Sequence, residues 1–146
     1  MRDLLVSHLR NLELTEPAIA YLLTVWDLFQ GLDDWVDGDT VSREAQNRVI
    51  WTACIGLGPF HAEHFAALQP VMANAVLKWQ ASDWVERHGE TEQLTKAYVW
   101  RAGYYDLVLQ VVLLVRGVEA ATRLAPMVMG MYGEKQEDYL KEFHGA

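Results

Sequence analysis

The sequence contains one cysteine, Cys54, and four prolines in 146 residues. A lone thiol closes no internal disulfide, the usage expected of a reducing, cytoplasmic compartment. Flanked by Ala53 and Ile55, Cys54 reads as a small buried side chain. A nucleophilic thiol would want a polar, electropositive surround instead. Long apolar runs are also missing. The longest, 107–115, is interrupted by Gln110 and falls well short of the roughly 20 residues that span a bilayer. Asp3 and His8 stand where a secretory leader would need its apolar segment. Positive charge is scarce: 12 Lys and Arg face 20 Asp and Glu, a net charge of −8. That balance argues against a reader of phosphate backbones and against a basic helix lying on a membrane, so neither nucleic acid nor membrane is expected as a partner.

Between residues 11 and 42 there is no Lys or Arg at all. The same stretch holds Glu13, Glu16, Asp27, Asp33, Asp34, Asp37 and Asp39. Seven of the eight net negative charges therefore belong to one stretch, and the rest of the chain is nearly neutral. An even acidic coat would speak to solubility; a concentrated one speaks to a local site.

With 51% hydrophobic residues the chain can bury a core, and disorder is not expected. The periodicity is helical throughout, with neither strand-type alternation nor an internal repeat. The expected fold is all-α: one domain over 1–146, a compact bundle of six to seven helices joined by short connections. A first helix is predicted over 2–12. Thr15, with Glu16 and Pro17 behind it, opens a second that Gly38 stops. Ser42 caps a third, ending at Gly56 or Gly58. Pro59 and Pro70 each start a further helix, and the latter ends at His88. Thr91, followed by Glu92, caps a long helix ending at Arg116 and Gly117. Pro126 divides the last segment, and 133–146 reads as a polar, fraying tail.

On the second helix, Asp27, Gln30, Asp33, Asp34 and Asp37 share one arc of about 120° at 3.6 residues per turn. Leu28, Phe29, Leu32, Trp35 and Val36 take the opposite arc. Traced back, the acidic arc carries Ile19, Leu23 and Trp26, so the helix is expected to be buried before Asp27 and to place its carboxylates at a cleft floor. Crowded carboxylates raise one another's pKa, and negative charge at a helix C-terminus opposes the helix dipole. A divalent cation relieves both. Oxygen-only donors suit Mg²⁺ or Mn²⁺ rather than Zn²⁺. A solvated acidic face is the structural alternative.

The string Phe29-Gln30-Gly31-Leu32-Asp33-Asp34-Trp35-Val36-Asp37 resembles the aspartate-rich F-Q-x-x-D-D-x-x-D motif of isoprenoid (polyprenyl and terpene) synthases. The resemblance implies that Asp33, Asp34 and Asp37 hold Mg²⁺, that Gln30 lines the site, and that Arg43 grips the diphosphate of an allylic substrate. The family's chains are considerably longer and place two acidic motifs on facing helices; this chain has one and lacks the family's lysine. The resemblance thus implies a shortened relative, or a homodimer pooling two sites. The motif is also similar to that of small helical phage-encoded proteins, to which no activity attaches.

Asp106, in an apolar run, reads either as a metal ligand from a facing helix or as an ion-pair partner of Arg101, Arg48 or Arg116. Arg101 either grips phosphate or pairs with an acid. Tyr105 falls beside Asp106 on its helix and is a candidate ligand contact. His61 and His64 share a face on which a metal could sit, though a surface position is the ordinary reading. His88 and His144 fall at helix ends, where positive charge is favourable. The six tryptophans read as core or subunit contacts. Met127 and Met131 share a helical face and read as packing. Three functions follow: an acidic Mg²⁺ site for a diphosphate ligand; a non-catalytic binding or structural module with an acidic face; and an all-α nucleotide pyrophosphatase, which would normally show Glu-rich pairs on two helices.

Overall fold

A computed structural model describes residues 2–144. The described chain is all-α: α1 (Arg2–Asn11), α2 (Glu16–Val36), α3 (Arg43–Cys54), α4 (Gly58–Glu63), α5 (Phe65–His88), α6 (Thr91–Trp100), α7 (Tyr104–Met129) and α8 (Gln136–His144). Among the described residues no helix is long and apolar enough to cross a membrane. Contacts gather the chain into two compact units, Met1–Phe65 and Ala66–Ala146.

In the first unit, α1, α3 and α4 each pack on α2. The N-terminal half of α2 is buried as its apolar periodicity requires, with Ile19, Leu22, Val25 and Leu28 inside. Tyr21 packs its ring against Phe60 and His61 of α4. Gly31 marks a close approach of α3, because a Cβ there would lie 2.5 Å from Val49 Cγ2. The cap assignments at the start of α3 hold: the Ser42 hydroxyl accepts a hydrogen bond from the Ala45 amide at 3.1 Å. Gly38, at φ +78°, turns the chain after α2.

In the second unit, Leu94, Ala97 and Tyr139 form a core cluster between α6 and α8, flanked by Val85, Tyr98, Leu140 and Phe143. The buried Ser82 hydroxyl donates to the carbonyls of Lys78 and Ala97, which ties α5 to α6. Several boundaries differ from the sequence reading, and α6 is capped by Glu90 through a capping box with Gln93 rather than by Thr91. Pro70 lies inside α5, and Pro126 lies inside α7. The helix expected over 91–116 breaks at residues 101–103. A Cβ on Gly103 would meet the Ala75 backbone at 3.0 Å, so the chain passes too close to α5 for a larger residue there. The expected polar tail instead forms α8, whose Tyr139 and Phe143, one helical turn apart, face the core. Gly117 does interrupt the helix where a stop was expected, at φ 84° and ψ 175°, but helical structure resumes beyond it.

Candidate functional site

The acidic helix departs from its expected setting in its second half. Asp34, Trp35, Val36 and Asp37 are exposed and Asp33 is half-buried, so these carboxylates do not line a cleft floor. The contacts of Tyr21 with α4, of Asp27 with α1 and of Gly31 with α3 all fall earlier on the helix. Trp35 and Val36, assigned to the core by periodicity, keep 43% and 54% of their surface exposed. Asp37 forms the C-cap of α2, and Gln30 is exposed on the same helix.

Asp27 has a partner the helix itself could not supply. Arg2 of α1 donates from Nε to Oδ1 and from Nη2 to Oδ2, each at 3.0 Å. This fork engages both carboxylate oxygens, the same atoms a metal would need. Arg43 is exposed in the first turn of α3. Among the described residues, no group of three or more His, Cys, Asp or Glu side chains is gathered as a metal would require.

The remaining sequence candidates lie in the second unit. Asp106 forms an ion pair, as one of its two readings had it, but with Lys78 rather than with an arginine; Nζ lies 2.7 Å from Oδ2. Lys78 comes from α5, 28 positions earlier in the chain, a separation that helical spacing does not reveal. Arg101 pairs with acids. Its Nη1 lies 3.3 Å from Glu86 Oε2, its Nε lies 3.8 Å from Glu134 Oε2, and the guanidinium sits 5.2 Å from the Tyr139 ring centre. Tyr105 donates to the Met131 carbonyl at 3.3 Å and tilts against Tyr132.

Around Arg101 the tyrosines close a network. The Tyr139 hydroxyl donates to Glu86 at 2.8 Å. Tyr132 reaches the Tyr98 carbonyl at 3.0 Å and Glu134 at 3.2 Å, and Tyr98 donates to the Glu134 carbonyl. Desolvation holds the Tyr21, Tyr105, Tyr132 and Tyr139 hydroxyls above their ordinary pKa, and neighbouring Glu134 and Glu86 push the last two further. The folded state favours the neutral phenol, so this contribution is complete below the unfolded value of about 10 and is lost as pH rises beyond it. Tyrosinate absorbance at 295 nm from these four should therefore develop together with loss of helical circular dichroism. Reversible ionisation of all six tyrosines with the helical signal unchanged would contradict this.

His88 falls in the last turn of α5 as expected, whereas several other side chains are engaged differently from their sequence reading. His61 Nδ1 lies 3.4 Å from the Tyr21 hydroxyl, and the His64 ring lies 4.5 Å from the Phe60 ring. Burial lowers the His61 pKa. His88 stacks on Trp84 and contacts its carbonyl through Nδ1 at 2.9 Å, while the His144 side chain lies outside the described ones. Cys54 is exposed, not buried. None of the six tryptophans is buried; Trp35, Trp51, Trp84 and Trp100 are exposed. Met127 is exposed and Met131 buried, because α7 ends at Met129 before the two can share a helical face. The feature that periodicity could not supply is this exposed aromatic surface, since apolar spacing carries no information on whether a neighbouring helix extends far enough to cover it.

No protein-family model, curated protein or solved structure matches the chain.

Proposed function

We propose that this chain is a non-catalytic binding module whose acidic, aromatic end of α2 takes a basic, apolar-faced helix of a protein partner. The observation that carries this reading is Trp35 and Val36, exposed among Asp33, Asp34, Asp37 and Asp39 in a stretch without a single Lys or Arg. Exposed Trp supplies the desolvated anchor typical of interfaces. The surrounding carboxylates favour a cationic partner and speed its encounter.

Calorimetric titration of the full chain with a synthetic Lys/Leu amphipathic helix, and with its Glu/Leu counterpart, tests the proposal. Only the basic peptide should bind, more weakly as salt rises. Trp35→Ala should weaken it by ~2 kcal/mol, about 30-fold. Neutralising Glu137 and Asp138 on α8 should change little. Binding indifferent to Trp35 would reduce the effect to general charge attraction and sink the reading.

The spacing of Asp33, Asp34 and Asp37 over the last turns of α2 favours a second reading, a Mg²⁺ or Mn²⁺ site for a diphosphate-containing small molecule. Its signature is pyrophosphate binding that requires Mg²⁺ and disappears in Asp34→Ala. The same titration with Mg²⁺, with and without pyrophosphate, separates the two.

A further inference from the structure

An open cleft of about 660 Å³ lies wholly within the second unit, a volume in the range of small-molecule sites. Val71, Asn74, Lys78 and Ala81 of α5 recur at helical spacing and form one wall. Trp100 at the end of α6, with Asp106 and Leu109 on α7, lines it as well.

The charged content of the cleft is a single ion pair with unused capacity, beside the neutral amide of Asn74. Lys78 Nζ and Asp106 Oδ2 are 2.7 Å apart, and the two side chains are 34% and 41% exposed, so a ligand can reach them. The ammonium spends one of its three protons on Asp106, and Oδ1 of Asp106 accepts no hydrogen bond among the described residues. Nζ also lies 5.9 Å from the Trp100 ring centre.

This arrangement discriminates by charge. A simple anion drawn to Lys78 meets the Asp106 carboxylate beside it, and a simple cation drawn to Asp106 meets the ammonium. Either gains one attraction and one repulsion at nearly equal distance. A diphosphate is disfavoured for the same reason. A ligand carrying adjacent positive and negative groups meets both partners at once, and an apolar body attached to it can cover Trp100 and Leu109.

We propose that the cleft formed by α5, Trp100 and the start of α7 binds a small zwitterion with an apolar body, of which an apolar α-amino acid is the simplest example. Its carboxylate faces Lys78, its ammonium faces Asp106, and its side chain lies against Trp100. This site uses none of the α2 carboxylates, so it stands or falls apart from the acidic face.

The experiment follows the indole N–H resonance of Trp100, assigned by its loss in Trp100→Phe, during titration of the full chain. The probes are L-phenylalanine, 2-phenylethylamine and 3-phenylpropionate, which share a ring and differ in charge. L-phenylalanine should give a saturable shift, and each singly charged analogue should bind at least about tenfold more weakly. Ala81→Phe, at an exposed position on the cleft wall, should block binding while helical circular dichroism is kept. Should that variant fail to fold, Lys78→Gln provides the second readout: affinity for L-phenylalanine falls, and affinity for 2-phenylethylamine rises as Asp106 is released. Absence of a saturable shift, equal binding of a singly charged analogue, undiminished binding in a folded Ala81→Phe, or a Lys78→Gln variant that leaves the charge preference unchanged would each overturn the proposal.

Discussion

Replacing Arg101 by Ala should cost about 3 kcal/mol of stability and release α8 first, because it breaks a largely buried ion-pair network from its centre. Glu86 is the critical partner. Its side chain is only 12% exposed, so its charge cannot be re-solvated once the guanidinium is gone. Glu134, at 31% exposure, recovers part of its hydration and contributes less. The Tyr139 ring loses the cation above it, a further ~1 kcal/mol in a partly desolvated setting. Tyr139 is also the fully buried residue through which α8 joins the Leu94 and Ala97 cluster. The damage is therefore expected to appear as faster amide exchange along 136–144 before it appears elsewhere. Urea unfolding measures the total. Two companions separate charge from shape. Arg101→Lys keeps the charge but loses the planar fork, and should fall between wild type and Ala. Glu86→Gln combined with Arg101→Ala should recover part of the loss, because no buried charge is left behind. If Arg101→Ala is as stable as the wild type, the network holds nothing together.

The pairing of Arg101 also shows where sequence reading reaches its limit. Local chemistry was legible. The hydroxyl cap at Ser42 and the glycine turn at Gly38 follow from short-range rules and stand in the structure. Short-range rules also missed Glu90, which rather than Thr91 caps α6, but the larger departures involve information carried by a distant segment. Helical spacing places arginines near Asp106, yet Lys78 from α5 occupies it. Residues 101–103 carry weak signals for a break, which arises because Gly103 must pass the Ala75 backbone. Pro70 and Pro126 sit near the ends of helices that continue past them, where the loss of one hydrogen bond is tolerable. α8 had a readable sign, the apolar spacing of Tyr139, Leu140 and Phe143, masked by the polar residues around it. For the acidic helix, periodicity assigns Trp35 and Val36 to the buried side correctly as a face, but the face outlasts the contacts that cover its first half. Asp27 reads as a member of the stripe, and only the fold reveals that Arg2 already holds it.

Gly117 gives the second large effect, and its sign is the informative part. In a regular helix interior, Gly→Ala stabilises by up to ~1 kcal/mol, because Ala loses less backbone entropy. At Gly117 the backbone adopts φ 84° and ψ 175° within the span of α7, a region occupied almost solely by glycine. Space is not limiting, since a Cβ built there meets nothing within 4 Å. The penalty for Gly117→Ala is therefore conformational alone, about 1–3 kcal/mol of destabilisation. Gly103→Ala is the useful contrast. There the φ of −58° suits any residue, and the obstacle is the Ala75 Cα at 3.0 Å from the added methyl. A loss at Gly103 should thus be eased only in part by Ala75→Gly, which removes the methyl at 3.2 Å but leaves the Cα and the carbonyl oxygen in place, whereas a loss at Gly117 should not respond to any change of neighbour and should be relieved by a D-alanine, whose preferred φ is positive. Thermal or urea unfolding of the four proteins decides the matter. A Gly117→Ala protein more stable than wild type would mean that α7 runs straight through residue 117, and the two helical pieces on either side of it would have to be redrawn as one.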